Sequence, residues 1–324
     1  MIDVCICTHF PKKSTFALVL RALGEQTLSK KKYQVVIIDN ANSPAISFDE
    51  APFSILKEMG VDSKIIREPR IGIAAARIRA LNETQGETLV FVDDDNVLEK
   101  NFLKKAQEIL DENSDVGCFS GKVFLHKNVA VPKWAEPLLG SLAIKDEGNE
   151  PIIDWFRGTW TKWVPAATAS MVLRRSVAKT FLKNHASRPE IYEFGRKGRH
   201  NLMSGEDFLI ALSAADAGLK CGYFPQLKMH HLIRADRFTL RRMAKLFFSF
   251  GITDLKRETY LNLPLKPFRA IELQHRLLAL NYKNTGIKAR FCYWIYEMTY
   301  VSGKTFQLIR SGQPFYIPKG GTGG

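Results

Sequence analysis

Three consecutive carboxylates, Asp93, Asp94 and Asp95, follow a short apolar run that is typical of a buried strand. Adjacent negative charges in such a place are costly unless a positive charge neutralises them. A hard divalent cation, Mg²⁺ or Mn²⁺, does so and prefers oxygen ligands. In an extended chain Asp93 and Asp95 point to the same side, so one could contact a ribose while the other binds the ion. The open positions of such an ion suit phosphate oxygens, which indicates a diphosphate substrate.

A plainer explanation of the acidic run is a solvated turn before the next helix, with Asp95 or Asn96 as its cap. The neighbouring strand ends favour the metal site instead. The first predicted strand ends at Thr8, and the second ends at Asp39 and Asn40. Ligands of open α/β sheets bind beyond the carboxyl ends of the strands. These ends are therefore expected to converge on one acidic crevice.

Alternating strands and helices over the first 125 residues must position these side chains. The patterns predict strands at 4–7, 34–38, 65–66 and 88–92, and helices at 14–23, 72–84 and 101–112. Ser14 or Thr15 is the predicted N-cap of the first helix. A more irregular segment, 126–200, precedes a helix at 204–218, strands at 220–225 and 227–231, and a helical region from about 236. The order predicts a mainly parallel sheet covered by helices.

The composition is that of a globular chain with anionic partners. The 324 residues are 45% hydrophobic and 25% charged, and the formal net charge is +14. Roughly 16 basic and 5 acidic side chains lie in residues 232–324. The excess favours phosphates, nucleic acid or a lipid surface as partners. The five cysteines are scattered without zinc spacing, which predicts reduced core thiols and a cytosolic protein. We expect neither a signal peptide nor a transmembrane helix.

Five short motifs follow one another along the chain. They are VCICT at 4–8, VVIIDN at 35–40, Gly72 to Arg77, FVDDD at 91–95 and SGED at 204–207, with further matches at Gly218 and 225–231. Their order and spacing over about residues 2–250 resemble family 2 glycosyltransferases of the GT-A fold. The resemblance is greatest to bacterial enzymes that build surface polysaccharides. It implies a Rossmann-like α/β fold, in which helices flank a mixed, mainly parallel sheet and a helical region follows at the C-terminus.

The resemblance also implies a domain organisation and a reaction. Residues 1–235 would form the catalytic domain, with a nucleotide-binding half at 1–125 and an acceptor-binding half at 126–235. Residues 236–318 would form a basic, aromatic helical region, and 319–324 a flexible tail. The implied reaction is metal-dependent and inverting. It moves a sugar from a nucleoside-diphosphate donor, with a UDP-sugar favoured, to a hydroxyl of a glycan or lipid-linked acceptor in bacterial polysaccharide biosynthesis.

The resemblance places the donor on residues of the first half. These are Thr8 against the nucleoside, Asp39 or Asn40 on a uracil-like base, Arg77 near the donor, and Asp93 with Asp94 at the ribose or base. Asp39 would otherwise be a strand-end turn residue, and Arg77 a surface charge with a packed stem. This sequence departs from the family at Ile78, where an asparagine is frequent.

The metal and the chemistry would be handled by later residues. Asp95 and His231 are the implied ligands of Mg²⁺ or Mn²⁺, with His230 as the alternative histidine. Asp207 is the implied catalytic base, because an acceptor hydroxyl must lose its proton during attack. Glu206 and Asp207 would otherwise only stabilise a helix N-terminus. The implied acceptor-binding side chains are Trp155, Trp160 and Glu206, although tryptophans are more often core residues.

The C-terminal region combines basic and aromatic side chains, such as Arg241, Lys245, Phe248 and Trp294. Such helices can lie on an anionic membrane surface, which would suit a lipid-linked acceptor. The alternatives are helices packed on the catalytic domain and helices that form a homo-oligomer. The expected location is the cytoplasm, with peripheral attachment to the inner face of the plasma membrane as an option.

Two other functions compete with sugar transfer. A sugar nucleotidyltransferase also uses a carboxylate-held metal on an α/β sheet, but it would be expected to have a glycine-rich loop near the N-terminus, and residues 8–14 contain no glycine. A nucleic-acid-binding protein would line its crevice with basic residues. Here the crevice is acidic and the basic excess is C-terminal, so we expect no nucleic-acid partner.

Overall fold

A computed structural model describes residues 1–156, 170–198, 201–263 and 287–311, and the side chains of 287–293 are not among the described parts. The chain divides into two units. The first consists of Met1–Ala130, Leu139–His200 and Glu206–Arg234, and the second of Val131–Leu138, Asn201–Gly205 and Ala235–Gly324.

The first unit is built on a sheet that has nine strands in its described part. The strands are β1 (Ile2–Thr8), β2 (Tyr33–Asn40), β3 (Ser63–Glu68), β4 (Thr88–Phe91), β5 (Asn96–Leu98), β6 (Val116–Leu125), β7 (Ile152–Asp154), β8 (Val172–Arg174) and β9 (Lys220–His231). Their order is β3-β2-β1-β4-β8-β6-β9-β5, and β7 also pairs with β9. The fold class predicted from the sequence, a mixed and mainly parallel α/β sheet, is confirmed.

Six α-helices belong to the described part of this unit. They are α1 (Lys13–Gly24), α2 (Ile55–Glu58), α3 (Ile73–Glu83), α4 (Phe102–Glu112), α5 (Arg175–His185) and α6 (Glu206–Asp216). Crossovers that contain α1, α2 and α3 make β1, β2, β3 and β4 parallel neighbours. β1 and β4 are buried along their whole length, which explains why most of their residues are apolar.

Strand register determines which polar residues meet. Thr8 lies opposite Asp39 at the carboxyl ends of β1 and β2, and the acidic run begins two residues after β4. On the other side of the sheet, β5 pairs antiparallel with β9 so that Asn96 lies opposite His231. The acidic run is therefore joined to the end of β9, as well as to the parallel strands.

Two local predictions were wrong. The N-cap of α1 is Lys12, because the helix begins at Lys13 and thus encloses Ser14 and Thr15 in its first turn. The two strands predicted at 220–225 and 227–231 are one strand, β9. Its pairing with β6 shifts register between Ser120 and Lys122, and this irregularity accommodates the extra residues around Pro225.

The second unit contains α7 (Leu240–Tyr260) and α8 (Ile287–Ser311). Thr239 caps α7 by accepting a hydrogen bond from the Arg242 amide. The helices cross at two glycines. A Cβ atom on Gly251 would lie 2.0 Å from the carbonyl oxygen of Tyr300, and one on Gly303 would lie 2.0 Å from that of Phe248. Of the helices described, none combines the length and apolar character needed to cross a membrane.

Candidate active site

The carboxylate of Asp39 is fixed at the end of β2. Its Oδ1 accepts hydrogen bonds from the backbone and side-chain nitrogens of Asn42, and its Oδ2 accepts from the Ile46 amide (3.1 Å) and Arg67 Nη1 (2.6 Å). Burial by itself would raise the pKa of Asp39, but the hydrogen bonds from Asn42 and Arg67 outweigh it and lower that pKa. Asp39 is thus a buried, stable anion.

Asn40 organises the turn that precedes α3. Its Nδ2 donates to the carbonyl oxygens of Arg70 (2.7 Å) and Glu68 (3.3 Å), and its Oδ1 accepts from the Gly72 amide (2.9 Å). Gly72 has a φ of 133°, which side chains rarely adopt, so the glycine is required here. Both polar atoms of the Asn40 amide are engaged within the protein, and they hold the N-terminus of α3 at the end of β2.

The end of β1 carries two candidate contacts. Thr8 Oγ1 donates a hydrogen bond to Asp94 Oδ2 and so ties this strand to the acidic run. Phe10 follows in a left-handed backbone conformation (φ 50°), and 55% of its surface is exposed. Its amide donates to Asn42 Oδ1. Sequence reasoning missed Phe10, although an aromatic residue just beyond a strand that enters the crevice was a usable signal.

A buried ion network lies beneath the acidic run. Arg77 on α3 donates from Nη1 to Glu206 Oε1, and its Nη2 lies 3.5 Å from Asp93 Oδ1. The Arg77 side chain is only 6% exposed, and its guanidinium lies 5.8 Å from the centre of the Phe91 ring. Burial alone would lower the pKa of Arg77, but Glu206 and Asp93 raise it. Arg77 therefore bridges two acidic residues as a permanent cation.

Glu206 and Asp207 occupy the first turn of α6 but have different surroundings. The Glu206 side chain is 5% exposed, and its Oε2 has no hydrogen-bond partner among the residues described. Burial raises the pKa of Glu206 to about 7, against the attraction of Arg77 and with help from the charge of Asp207. Asp207 is half-buried, and its Oδ1 accepts from the Phe208 amide (2.9 Å).

The raised pKa of Glu206 gives a testable pH dependence of stability. Between its ordinary pKa of 4.5 and the folded value of about 7, the folded protein retains a proton that the unfolded chain has lost. The stability gained from that proton is fully present below the lower value and is lost as the pH rises through the upper one. Glu206→Gln cannot ionise. We therefore expect its melting temperature, relative to wild type, to rise between about pH 5 and pH 8.

Differential scanning fluorimetry across that pH range measures the effect. Glu83→Gln is the matched control, because Glu83 forms an exposed ion pair with Arg79 at 3.0 Å, and its difference from wild type should stay nearly flat. A Glu206→Gln protein that is destabilised equally at every pH would contradict the prediction. That result would mean that loss of the ion pair with Arg77 dominates over relief of the buried charge.

Asp93 and Asp95 differ in exposure. The Asp93 side chain is 39% exposed. The surrounding protein removes water from the carboxylate, and this desolvation raises the pKa of Asp93, as does the negative charge of Asp95. The positive charges of Arg77 and His231 act in the opposite direction. Asp95 is more enclosed. Its Oδ2 lies 3.4 Å from His231 Nε2, and its carbonyl oxygen accepts from the Leu232 amide (2.8 Å).

Asp95 and His231 fit a divalent ion as neighbouring ligands. Ligands bound at about 2.1 Å in an octahedral shell lie about 3 Å apart, close to the separation observed here. His231 is 7% exposed, and its Nδ1 has no hydrogen-bond partner in the described part of the chain. Among the residues described, no group of three or more His, Cys, Asp or Glu side chains is arranged to hold a metal. An ion held by Asp95 and His231 would take its other ligands from substrate and water.

The remaining predicted residues lie apart from this cluster or outside the described residues. His230 points to Glu99, with Nε2 3.8 Å from Oε1, so the two adjacent histidines have different partners. Trp155 follows β7 and is 40% exposed. Trp160 lies outside the described residues. The predicted residues that direct contacts link are Thr8 with Asp94, Arg77 with Asp93 and Glu206, and Asp95 with His231.

Comparison with known proteins identifies the family. Residues 3–181, more than half of the chain, match the model of glycosyl transferase family 2. The chain belongs to this family. As a family 2 glycosyltransferase it is a transferase with a GT-A-type α/β fold, so the nucleotidyltransferase and nucleic-acid-binding alternatives are set aside.

The family 2 glycosyltransferase resembles two individual proteins at low identity. It is 23% identical over 253 residues to the succinoglycan biosynthesis protein ExoM of Rhizobium meliloti (strain 1021). This alignment covers 78% of the present chain and 73% of ExoM. The crystal structure of S. aureus TarS 1-349 aligns at 14% identity with a TM-score of 0.49, covering 97% of this chain and 93% of that one. The same protein in complex with UDP aligns at 15% identity with a TM-score of 0.49.

Proposed function

We propose that this family 2 glycosyltransferase moves a sugar from a nucleoside-diphosphate donor, with a UDP-sugar favoured, to a hydroxyl of a glycan or lipid-linked acceptor in bacterial polysaccharide biosynthesis. We further propose that the reaction inverts the anomeric carbon and needs Mg²⁺ or Mn²⁺. One observation carries the proposal: Arg77 joins Asp93, in the acidic run after β4, to Glu206, which directly precedes Asp207. A donor-binding element and the residue best suited as a base are thereby held by one cation.

The donor's base and ribose are assigned to the ends of β1, β2 and β4. Asp39 is an anion that can accept from the N–H of a uracil-like base, and its partner Arg67 is 44% exposed and therefore able to move aside. Thr8 and Asp94, already hydrogen-bonded to each other, lie on the nucleoside side, and Asp93 is open enough to reach the ribose. Asn40 is assigned to shaping the turn before α3, because its amide is engaged there.

Phe10 is assigned to stacking on the donor's base, and its removal is a direct test. Phe10→Ala should weaken UDP binding about 5- to 160-fold, because stacking of a base on an aromatic ring contributes about 1–3 kcal/mol. The φ of 50° is equally unfavourable for alanine, so the change isolates the ring from the backbone. Calorimetric titration with UDP and Mn²⁺ measures the loss.

Two variants control for nonspecific effects on UDP binding. Phe10→Tyr retains an aromatic face and should bind UDP nearly as wild type does. Leu18→Ala removes another exposed apolar side chain, on α1, and should have no effect. Unchanged UDP affinity in Phe10→Ala would remove Phe10 from the donor site and leave the base to Asp39 alone.

The chemistry is assigned to Asp95, His231 and Asp207. A divalent ion held by Asp95 and His231 would stabilise the negative charge of the departing diphosphate. Asp207 removes the proton of the acceptor hydroxyl as that oxygen attacks the anomeric carbon. Arg77 keeps Asp93 and Glu206 in place, so we assign Glu206 to positioning the first turn of α6 instead of binding the acceptor. Trp155 offers an exposed ring against which an acceptor sugar can pack.

The proposed organisation assigns residues 1–235 to catalysis, 236–318 to a helical region and 319–324 to a tail, and places the enzyme in the cytoplasm. A panel of nucleotide sugars, scored for release of nucleoside diphosphate with and without a chelator, tests the reaction. Release from a UDP-sugar that the chelator abolishes would support it. If UDP with Mn²⁺ gives no thermal stabilisation while a single-stranded oligonucleotide does, the donor assignment is wrong.

A further inference from the structure

One face of α8 presents apolar side chains to solvent. Met298, Phe306 and Ile309 are 37%, 49% and 69% exposed, respectively. Successive residues of an α-helix are 100° apart, so these three residues lie within an arc of about 80°. We call these three residues the α8 apolar face. A row of exposed aromatic and aliphatic side chains is unusual on a soluble surface and indicates a binding partner.

The opposite side of α8 already has its partner in α7. Tyr296 stacks on Phe247 with ring centres 5.2 Å apart, and Tyr300 donates a hydrogen bond to Asp254 at 2.7 Å. Lys304 forms an ion pair with Glu258 at 3.0 Å. Together with the glycine crossing, these contacts fix which way α8 faces. Turning the α8 apolar face inward would break all of them, so its exposure is built into the helix pair.

The α8 apolar face continues onto a basic strip of α7. Phe306 contacts Phe248 of α7 with ring centres 5.9 Å apart. Arg241, Lys245 and Phe248 lie within an arc of about 60° on α7, and both basic side chains are exposed. The single acidic residue of α8, Glu297, is buried. The exposed surface is thus apolar on one helix and positive on the next, without an acidic side chain on α8 to oppose an anion.

We propose that the α8 apolar face, with Arg241 and Lys245, binds the surface of an anionic lipid bilayer. The apolar side chains enter the boundary between headgroups and acyl chains, and the basic side chains contact the headgroups. The helices lie on the membrane, in agreement with the lack of a spanning helix among those described. A second copy of the chain fits less well, because symmetric pairing would bring the same positive strips together in a region of roughly 16 basic and 5 acidic residues.

Vesicle sedimentation with the full chain tests this proposal. We expect binding to vesicles that contain phosphatidylglycerol, little binding to phosphatidylcholine alone, and release of the bound protein by high salt. The double variant Phe306→Ser/Ile309→Ser should bind at least about tenfold more weakly. Arg241→Gln/Lys245→Gln should lose about fivefold for each charge removed. The four side chains changed in these two variants are exposed, so the melting temperatures of both variants should stay near that of wild type.

Matched variants of the first unit separate this surface from general stickiness. Leu18→Ser removes an exposed apolar side chain of α1, and Lys31→Gln/Lys32→Gln removes two exposed charges, so both should bind vesicles as wild type does. Equal binding to both kinds of vesicle, or equal losses in the control variants, would overturn the proposal. So would a Phe306→Ser/Ile309→Ser protein that binds normally, or one that changes from dimer to monomer in light scattering, which would assign the face to a second copy.

Discussion

Asp207→Asn should slow sugar transfer by about 10²- to 10⁴-fold while leaving donor binding nearly unchanged. Asparagine has the shape of aspartate, and its side-chain oxygen can still accept the hydrogen bond from the Phe208 amide, so α6 should begin as before. It cannot accept a proton from the acceptor hydroxyl at neutral pH. The loss should therefore appear in kcat, with the KM for the donor nearly constant.

The measurement compares transfer rates with the affinity for UDP in the presence of Mn²⁺. Asp216→Asn is the matched control, because Asp216 lies exposed at the other end of the same helix and contacts only the Asn184 amide (3.1 Å) among the hydrogen bonds described for it. It should transfer sugar at the wild-type rate. Substantial turnover in Asp207→Asn would reject Asp207 as the base. A further drop in an Asp207→Asn/Glu206→Gln protein would then identify Glu206 as its replacement.

The strands β1 and β2 could be predicted because a strand that is buried on both faces consists mainly of apolar residues. β1 and β2 are runs of apolar and β-branched residues, and each ends where polar residues begin. Since parallel strands end at one edge, the proximity of Thr8 to Asp39 and to Asp94 could be inferred from the sequence alone. The pairing of Asp95 with His231 depends on the antiparallel register of β5 on β9, which the sequence does not encode locally.

β6 was not predicted, and it contains two glycines, a residue type that usually weakens a strand. In this fold Gly121 is required: a Cβ atom there would lie 2.0 Å from the carbonyl oxygen of Leu227. The glycine allows β9 to approach closely where the register of the two strands shifts. A glycine that would be expected to weaken a strand is thus needed here for the close packing of β6 against β9.

The network of Arg77, Asp93 and Glu206 was also beyond the sequence. Arg77 and Glu206 are 129 residues apart, so no periodicity connects them. Each was interpreted by itself, Arg77 as a donor contact and Glu206 as an acceptor contact. Because Arg77 and Glu206 are buried against each other, we assign both a positioning role instead of a substrate contact. A guanidinium that is 6% exposed and shared by two carboxylates is suited to fixing their positions.

Asp95→Ala should reduce transfer by about 10³-fold or more, and it should weaken donor binding as well. The Asp95 side chain is more enclosed than that of Asp93, and its Oδ2 faces His231 Nε2 at 3.4 Å. Without that oxygen the protein retains one ligand of the proposed pair, and the donor's diphosphate loses the charge that would hold it. The UDP affinity should therefore become nearly insensitive to added Mn²⁺.

The two adjacent histidines provide the control for this prediction. His231→Ala should lower the affinity for Mn²⁺ in the presence of UDP and reduce transfer, whereas His230→Ala should do neither, because His230 faces Glu99. Manganese titrations followed by electron paramagnetic resonance separate metal binding from catalysis. If UDP binding proves independent of metal in wild type and persists in both Asp95→Ala and His231→Ala, a metal-held diphosphate is excluded. Arg77, buried beneath Asp93, could not replace it, so the diphosphate would have to be held by groups outside this cluster.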